Sequence, residues 1–310
     1  MSPKNVNEAW LDGPDGHRFY TRTYRAPSSP KAVLIFVHGF ADHISRYQDI
    51  SSRFAERRIT VFAYDMRGFG QAALDKEHRN RGEAYGKTSR QIELGDLDWW
   101  VNHVARTGPD VPIFVIGHSA VRWWNGPCLR STFRATDLPR DGTVTKVSGI
   151  IAQCPLVRLT YPQPKIVMAL AGVLSRVIPS LPIPAPMPEN RFSRDPAVVE
   201  ALLNDPLRMS KGTVRGLYDM LSQGEELLQK GFKHWPSDLP LIMTWGTADE
   251  VNCPKAGVAF FNKLRVEDKK LVEYDGALHD LLHEAEDIPD KVIEEYVSFI
   301  EAHLCARVVG

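Results

Sequence analysis

Three residues of this chain carry the side chains of acyl transfer and stand where that chemistry needs them. Ser119 ends the apolar run IFVIGHS (113–119), Asp249 ends LIMTWGTAD (241–249), and His279 ends KLVEYDGALH (270–279). A serine attacks a carbonyl efficiently when four conditions are met: its hydroxyl stands clear of the backbone, a histidine takes its proton, an acid holds that histidine, and N–H donors meet the oxyanion. The tripeptide HGF (His38, Gly39, Phe40) closes the run VLIFV and offers backbone N–H groups for the last role. Taken singly the pieces say little, since a lone His279 reads as a surface or packing residue. The joint pattern carries the inference, because each piece falls just past a strand-like run and they follow in one order.

The runs themselves predict the scaffold. A hairpin is expected from Glu8 to Tyr24, turning near GPDG, followed by β-rich runs at 32–40, 59–68, 113–119, 148–155, 241–249 and 270–279. Continuous apolar runs of this length suit strands buried on both faces. Between them YQDISSRFAERR, QIELGDLDWWVNHVAR and the C-terminal DKVIEEYVSFIEAHLCA repeat apolar residues at three- and four-residue steps, the period of an amphipathic helix. Strand and helix alternating in this way imply an α/β fold with a mostly parallel central sheet and helices on both faces. One stretch breaks the alternation. Residues 156–240 are rich in proline and hold the apolar segment KIVMALAGVLSRVI (165–178). The expected organisation is therefore a core of residues 1–155 and 239–310, with 156–238 inserted as a cap over the carboxyl edge of the sheet, where open α/β folds bind ligands.

Composition excludes several classes of function. Lys and Arg together number 38, as do Asp and Glu, so no global field draws the chain to nucleic acid. The N-terminal residues contain no apolar run of a secretory signal, and no apolar stretch approaches the ~18 residues of a membrane span. The four cysteines, Cys128, Cys154, Cys253 and Cys305, show no metal-ligand spacing and suit free thiols in a reducing compartment. A cytoplasmic protein with no metal is expected, peripheral to membranes or lipid droplets rather than secreted.

Several motifs carry a resemblance. HGFADHISRY (38–47) resembles the HGxGEHxxRY stretch of monoacylglycerol lipases in the α/β-hydrolase superfamily, departing at Ala41 and Asp42. DMRGFGQA (65–72) is similar to their D-x-RGHGxS loop, GHS (117–119) begins their GHSMGG elbow, and GTADEVNCPKAG and YDGALHDLLHE resemble the segments that carry their acid and histidine. The similarity runs nearly end to end except for about residues 120–145. It implies an α/β-hydrolase fold with Ser119 as nucleophile, His279 as base, Asp249 as its partner, and the backbone N–H groups of Phe40 and Ala120 as oxyanion donors. It also implies a lipid ester substrate, a monoacylglycerol cleaved to glycerol and a fatty acid through an acyl-serine, with no cofactor.

Substrate-pocket candidates are His38, Gly39, Cys253, Leu170 and Leu174. Cys253 matches a cysteine that family members carry near the glycerol end, although a small buried hydrophobe is an equal reading. An acyl chain gains about 0.8 kcal/mol per buried CH₂, so the apolar stretch at 165–178 suits a tunnel, or a face resting on lipid with Lys165 and Arg176 near headgroups. Another carboxylesterase or lysophospholipase with the same three residues, or an inactive lipid-binding paralogue, remain the alternative readings.

The paralogue reading arises from the elbow. G-x-S-x-G demands small residues on both sides of the serine, yet Val121 occupies the second small site and is followed by Arg122, Trp123 and Trp124. Overpacking there costs on the order of 1–3 kcal/mol. Asn125, Gly126 and Pro127 then oppose the helix expected next. Trp-Trp-Asn must be encoded TGGTGGAAY, which read one nucleotide later gives Gly, Gly, then Met or Thr. We read residues from about 120 to 136 as the product of a shifted frame or misplaced splice junction. A transcript encoding Val-Arg-Trp-Trp without interruption would refute this.

Overall fold

A computed structural model describes residues 5–119 and 143–304. Strands β1 (Val6–Asp12) and β2 (Arg18–Tyr24) form the expected hairpin, paired in register from Val6 with Tyr24 to Asp12 with Arg18. They are followed by β3 (Ala32–Val37), α1 (Gln48–Glu56), β4 (Ile59–Tyr64), α2 (Gly70–Leu74), α3 (Arg90–Thr107), β5 (Ile113–His118) and β6 (Val147–Gln153). The chain then leaves the sheet through α4 (Lys165–Val177), β7 (Pro182–Pro184), α5 (Pro196–Leu203), β8 (Lys211–Thr213) and α6 (Val214–Gln229). It returns as β9 (Leu241–Gly246), α7 (Pro254–Lys263), β10 (Lys269–Tyr274) and α8 (Ile288–Ala302).

Eight strands form one sheet in the order β1-β2-β4-β3-β5-β6-β9-β10, while β7 and β8 pair separately. From β4 to β10 all pairs are parallel, and only β1 and β2 run against their neighbours. Every residue of β3, β5 and β9 is buried, which is why these strands read as unbroken apolar runs. Register places Phe62, Ile35 and Val115 on one face and Val61, Leu34 and Phe114 on the other. Trp100 of α3 packs on Phe62 and Tyr64, and Phe299 of α8 packs on Phe114, so helices cover both faces. This is the predicted α/β-hydrolase architecture.

The segment between β6 and β9 lies against the chain leaving β6: a Cβ on Gly224 of α6 would come 2.7 Å from the carbonyl of Val157. Helix α4 packs on α6 through Gly172, whose missing Cβ makes room for Tyr218. Only Gly172 and Ser175 of α4 are buried, so its apolar residues face outward: Ile166 is 68% exposed, Leu170 58% and Val177 71%. No helix among the described residues is long and apolar enough to cross a membrane.

Candidate active site

The ends of β5, β9 and β10 bring the three predicted side chains together. Ser119, one residue past β5, has φ +58°, the left-handed region that a non-glycine residue seldom adopts. Its N–H donates to Gln153 O at 2.9 Å and its carbonyl accepts from Leu156 N–H at 2.9 Å, holding the turn between β6 and the chain beyond it. His279 Nε2 lies 2.8 Å from Ser119 Oγ, and His279 Nδ1 lies 2.8 Å from Asp249 Oδ2. The side chains of His279 and Asp249 are fully buried. The second oxygen of Asp249 accepts from the N–H groups of Val251 (2.7 Å) and Asn252 (2.9 Å). A carboxylate already taking two backbone donors is an acceptor toward the ring, so Nδ1 carries the proton and Nε2 is free to accept from the serine hydroxyl.

Gly39 approaches this serine closely. A Cβ there would lie 3.1 Å from Ser119 Cβ and 3.3 Å from His118 O, so any side chain at this position would press on the nucleophile turn by a few tenths of an ångström. The Gly39 carbonyl accepts from His38 Nδ1 at 2.8 Å, while His38 Nε2 accepts from Met66 N–H at 2.9 Å. The peptide N–H of Met66 fixes that tautomer, and burial pushes the imidazole below its ordinary pKa. Phe40 lines the cavity beside Ser119. Ala120, the other expected oxyanion donor, lies outside the described residues, as do Cys128 and Cys305 and all but the end of the anomalous stretch 120–145.

The other acids and histidines near the site are spent elsewhere. Asp65 accepts from Ile44 N–H (2.9 Å) and Gln71 N–H (2.6 Å), and His283 contacts Asp280 and Arg46 O. His118 is buried, and desolvation takes its pKa down to about 4. Tyr47 has one hydroxyl proton and gives it to Asp42 at 2.6 Å, so the 3.1 Å contact with His118 Nδ1 makes that nitrogen the donor. Arg46 bridges Asp42 (2.9 Å) and Asp280 (2.7 Å), tying the loop after β3 to the residue beside His279. Burial opposes ionisation of Asp280, but His283 and Arg46 outweigh it and hold the carboxyl well below the usual range.

A cavity of about 150 Å³ opens beside Ser119. Its wall is mostly apolar, with Leu156, Leu159, Met187, Phe192, Leu202 and Met209 from the segment after β6. The five residues expected to form a pocket do not line it. His38 is fully buried and occupied in holding its loop, Gly39 is pressed on Ser119, and Cys253 precedes α7 with its N–H donated to Arg158 O at 2.8 Å. Leu170 and Leu174 face outward because α4 turns its small residues toward α6.

Two neighbours of the site escaped sequence reasoning. Asn252 lines the cavity, with its Nδ2 3.5 Å from Ser119 Oγ and anchored on Cys154 O at 2.7 Å. Cys154 itself is fully buried at φ +43°, with its sulfur, the Asp249 carboxylate and His279 within 4.8 Å of one another. Burial, then the charge of Asp249, pushes the thiol well above its ordinary pKa. These three are the one group among the described residues with metal-ligand proximity, and His279 Nδ1 and Asp249 Oδ2 bond each other within it.

The model of the Hydrolase_4 family, described as serine aminopeptidase S33, matches residues 28–286. The chain is 26% identical over 313 residues to the monoglyceride lipase of Mus musculus, covering 100% of this chain and 96% of that one. It is likewise 26% identical over 309 residues to the monoacylglycerol lipase of Mycolicibacterium smegmatis, covering 98% and 100%. A crystal structure of a soluble variant of monoglyceride lipase from Saccharomyces cerevisiae, in complex with a substrate analog, superimposes with a TM-score of 0.77 at 21% identity, covering 98% of this chain and 97% of that chain.

Proposed function

We propose, on the premise that the chain belongs to the Hydrolase_4 family and is a carboxylic ester hydrolase, that it cleaves monoacylglycerol to glycerol and a fatty acid through an acyl-serine. The observation that carries this reading is the relay Ser119 Oγ, His279, Asp249 in two steps of 2.8 Å, facing a mostly apolar cavity. Ser119 Oγ attacks the ester carbonyl carbon as its proton passes to His279 Nε2. The oxyanion is met by the N–H groups of Phe40 and Ala120. His279 then gives the proton to the departing glycerol oxygen, and a water activated by the same nitrogen releases the fatty acid from Ser119. Asp249 holds the ring in the required tautomer and stabilises the imidazolium.

The substrate class is supported by the apolar wall and by the two relatives named above. Residues 156–238 act as a cap that supplies this wall. The outward face of α4, with Ile166, Val167, Leu170, Val173, Leu174 and Val177 exposed, rests on a lipid surface, and Lys165 and Arg176 meet its headgroups. One assay tests both parts. Liposomes carrying monoacylglycerol, lysophospholipid or a short ester are offered to the protein, and fatty-acid release and flotation are measured together. Monoacylglycerol should give the highest kcat/KM and the protein should float. A preference for lysophospholipid moves the reading to that alternative, and protein left wholly in the soluble fraction removes the lipid-surface role.

A further inference from the structure

The loop after β3 is held at several points, among them the Arg46 and Tyr47 bonds to Asp42 already described. One hold is local, through His38 and Gly39 O. Another comes from the interior of the 156–240 segment. Arg208 Nε donates to Ala41 O at 3.1 Å, and Asp205 Oδ2 bonds His43 Nε2 at 2.7 Å. Asp205 and Arg208 also line the cavity beside Ser119. Both are fixed in turn: Asp205 Oδ1 accepts from Leu207 N–H at 2.9 Å, Arg208 Nη1 donates to Leu202 O at 3.3 Å, and its guanidinium lies 5.2 Å from the centre of the Phe192 ring. Next to this hold, Met209 N–H donates to Tyr85 OH at 3.0 Å.

The loop needs holding. Ala41 is a buried non-glycine residue at φ +54°, a conformation that its own side chain disfavours and that surrounding contacts must maintain. It directly follows Phe40, whose N–H points where the oxyanion forms only if the backbone on both sides is fixed. Gly39 O is fixed from within the core, and Ala41 O is fixed by Arg208.

We infer that Asp205 and Arg208 are positioning residues for the reaction: as part of the cavity wall, they clamp residues 41–43 and so hold Phe40 N–H in its oxyanion-binding place. This rests on the reading of Ser119 and Phe40 given above. The clamp makes the acyl cavity and the oxyanion loop one unit, so a chain that packs against the wall also steadies the donor that stabilises the transition state.

The test uses the full chain with a p-nitrophenyl ester, a trifluoromethyl ketone that forms a tetrahedral adduct at serine, and a glycerol monoalkyl ether that binds without reacting. Arg208→Met should lower kcat about ten- to a hundredfold, as expected of a displaced donor, with KM within about threefold. Trifluoromethyl ketone affinity should fall by the same factor as kcat, ether affinity should hold, and Arg208→Lys should restore part of kcat. Should Arg208→Met fail to fold, Asp205→Ala, which removes the bond to His43 Nε2, carries the same measurements. Unchanged kcat, or equal weakening of both ligands, overturns the clamp while leaving the Ser119 reading intact. A wild-type protein that neither turns over the ester nor labels with a fluorophosphonate overturns that reading and the clamp with it.

Discussion

Alanine at position 119 is expected to lower ester hydrolysis by about four to six orders of magnitude and to abolish fluorophosphonate labelling, with thermal stability close to wild type. Among the described residues the hydroxyl removed is the group that His279 Nε2 bonds, at 2.8 Å, and the two backbone bonds given for Ser119 use its N–H and carbonyl rather than its side chain. Asparagine at 249 should cost about 10⁴ in kcat for a reason this geometry makes specific. One carboxylate oxygen takes the N–H groups of Val251 and Asn252, so the amide oxygen must occupy that position and the amide NH₂ must face His279 Nδ1. A donor there drives the ring to the tautomer with Nε2 protonated, which cannot accept from serine. Kinetics of fatty-acid release with melting curves for each variant decide the matter. Ser119→Ala protein retaining a tenth of the activity would place the chemistry at another residue, and wild-type protein that does not label would favour the lipid-binding paralogue.

How much of this was legible in the sequence depends on whether a feature is local. β3, β5 and β9 announce themselves because strands buried on both faces must be apolar at every position, and Ser119 and Asp249 fall on the turns directly after two of them, while His279 follows the half-exposed edge strand β10. The cavity wall is a different case. Leu156, Met187, Leu202 and Met209 meet only after the chain has crossed from α4 to β8, and no periodicity predicts that meeting. The apolar helix α4 shows the same limit: its composition suits a tunnel lining, but the small residues Gly172 and Ser175 choose the inward face, and their partner Tyr218 lies in another helix. Cys253 drew attention as a cysteine beside the acid, yet the residue that reaches Ser119 is its neighbour Asn252, turned inward because its own N–H caps Asp249. Cys154 gave no signal, since a left-handed φ at a non-glycine residue leaves no trace in residue type. The elbow after Ser119 rests on sequence alone, because residues 120–142 lie outside the described ones.

Placing alanine at Gly246 should separate the acid from the histidine. Gly246 ends β9 opposite Tyr274, the last residue of β10, and a Cβ there runs into the carbonyls of Ala277 and Leu278. Those are backbone atoms in the turn that delivers His279, and they cannot swing aside as a flexible side chain would. The two loops are laced at this point: Thr247 N–H donates to Tyr274 O and Ala248 N–H to Ala277 O, both at 3.0 Å, and Asp249 N–H returns to Gly246 O at 3.1 Å. Relief of the clash must therefore move the Asp249 turn, the His279 turn, or both, and the 2.8 Å bond between them is what lengthens. A misplacement near 1 Å costs about a hundredfold in rate, and the forced packing about 1–3 kcal/mol in stability. Gly276→Ala in the same turn is the control. Its Cβ meets nothing within 4 Å, so the φ of +67° costs stability alone and kcat should hold. Urea denaturation and ester turnover on both variants separate the outcomes: if Gly246→Ala matches Gly276→Ala in kcat, the close approach of the two turns does not set the catalytic geometry.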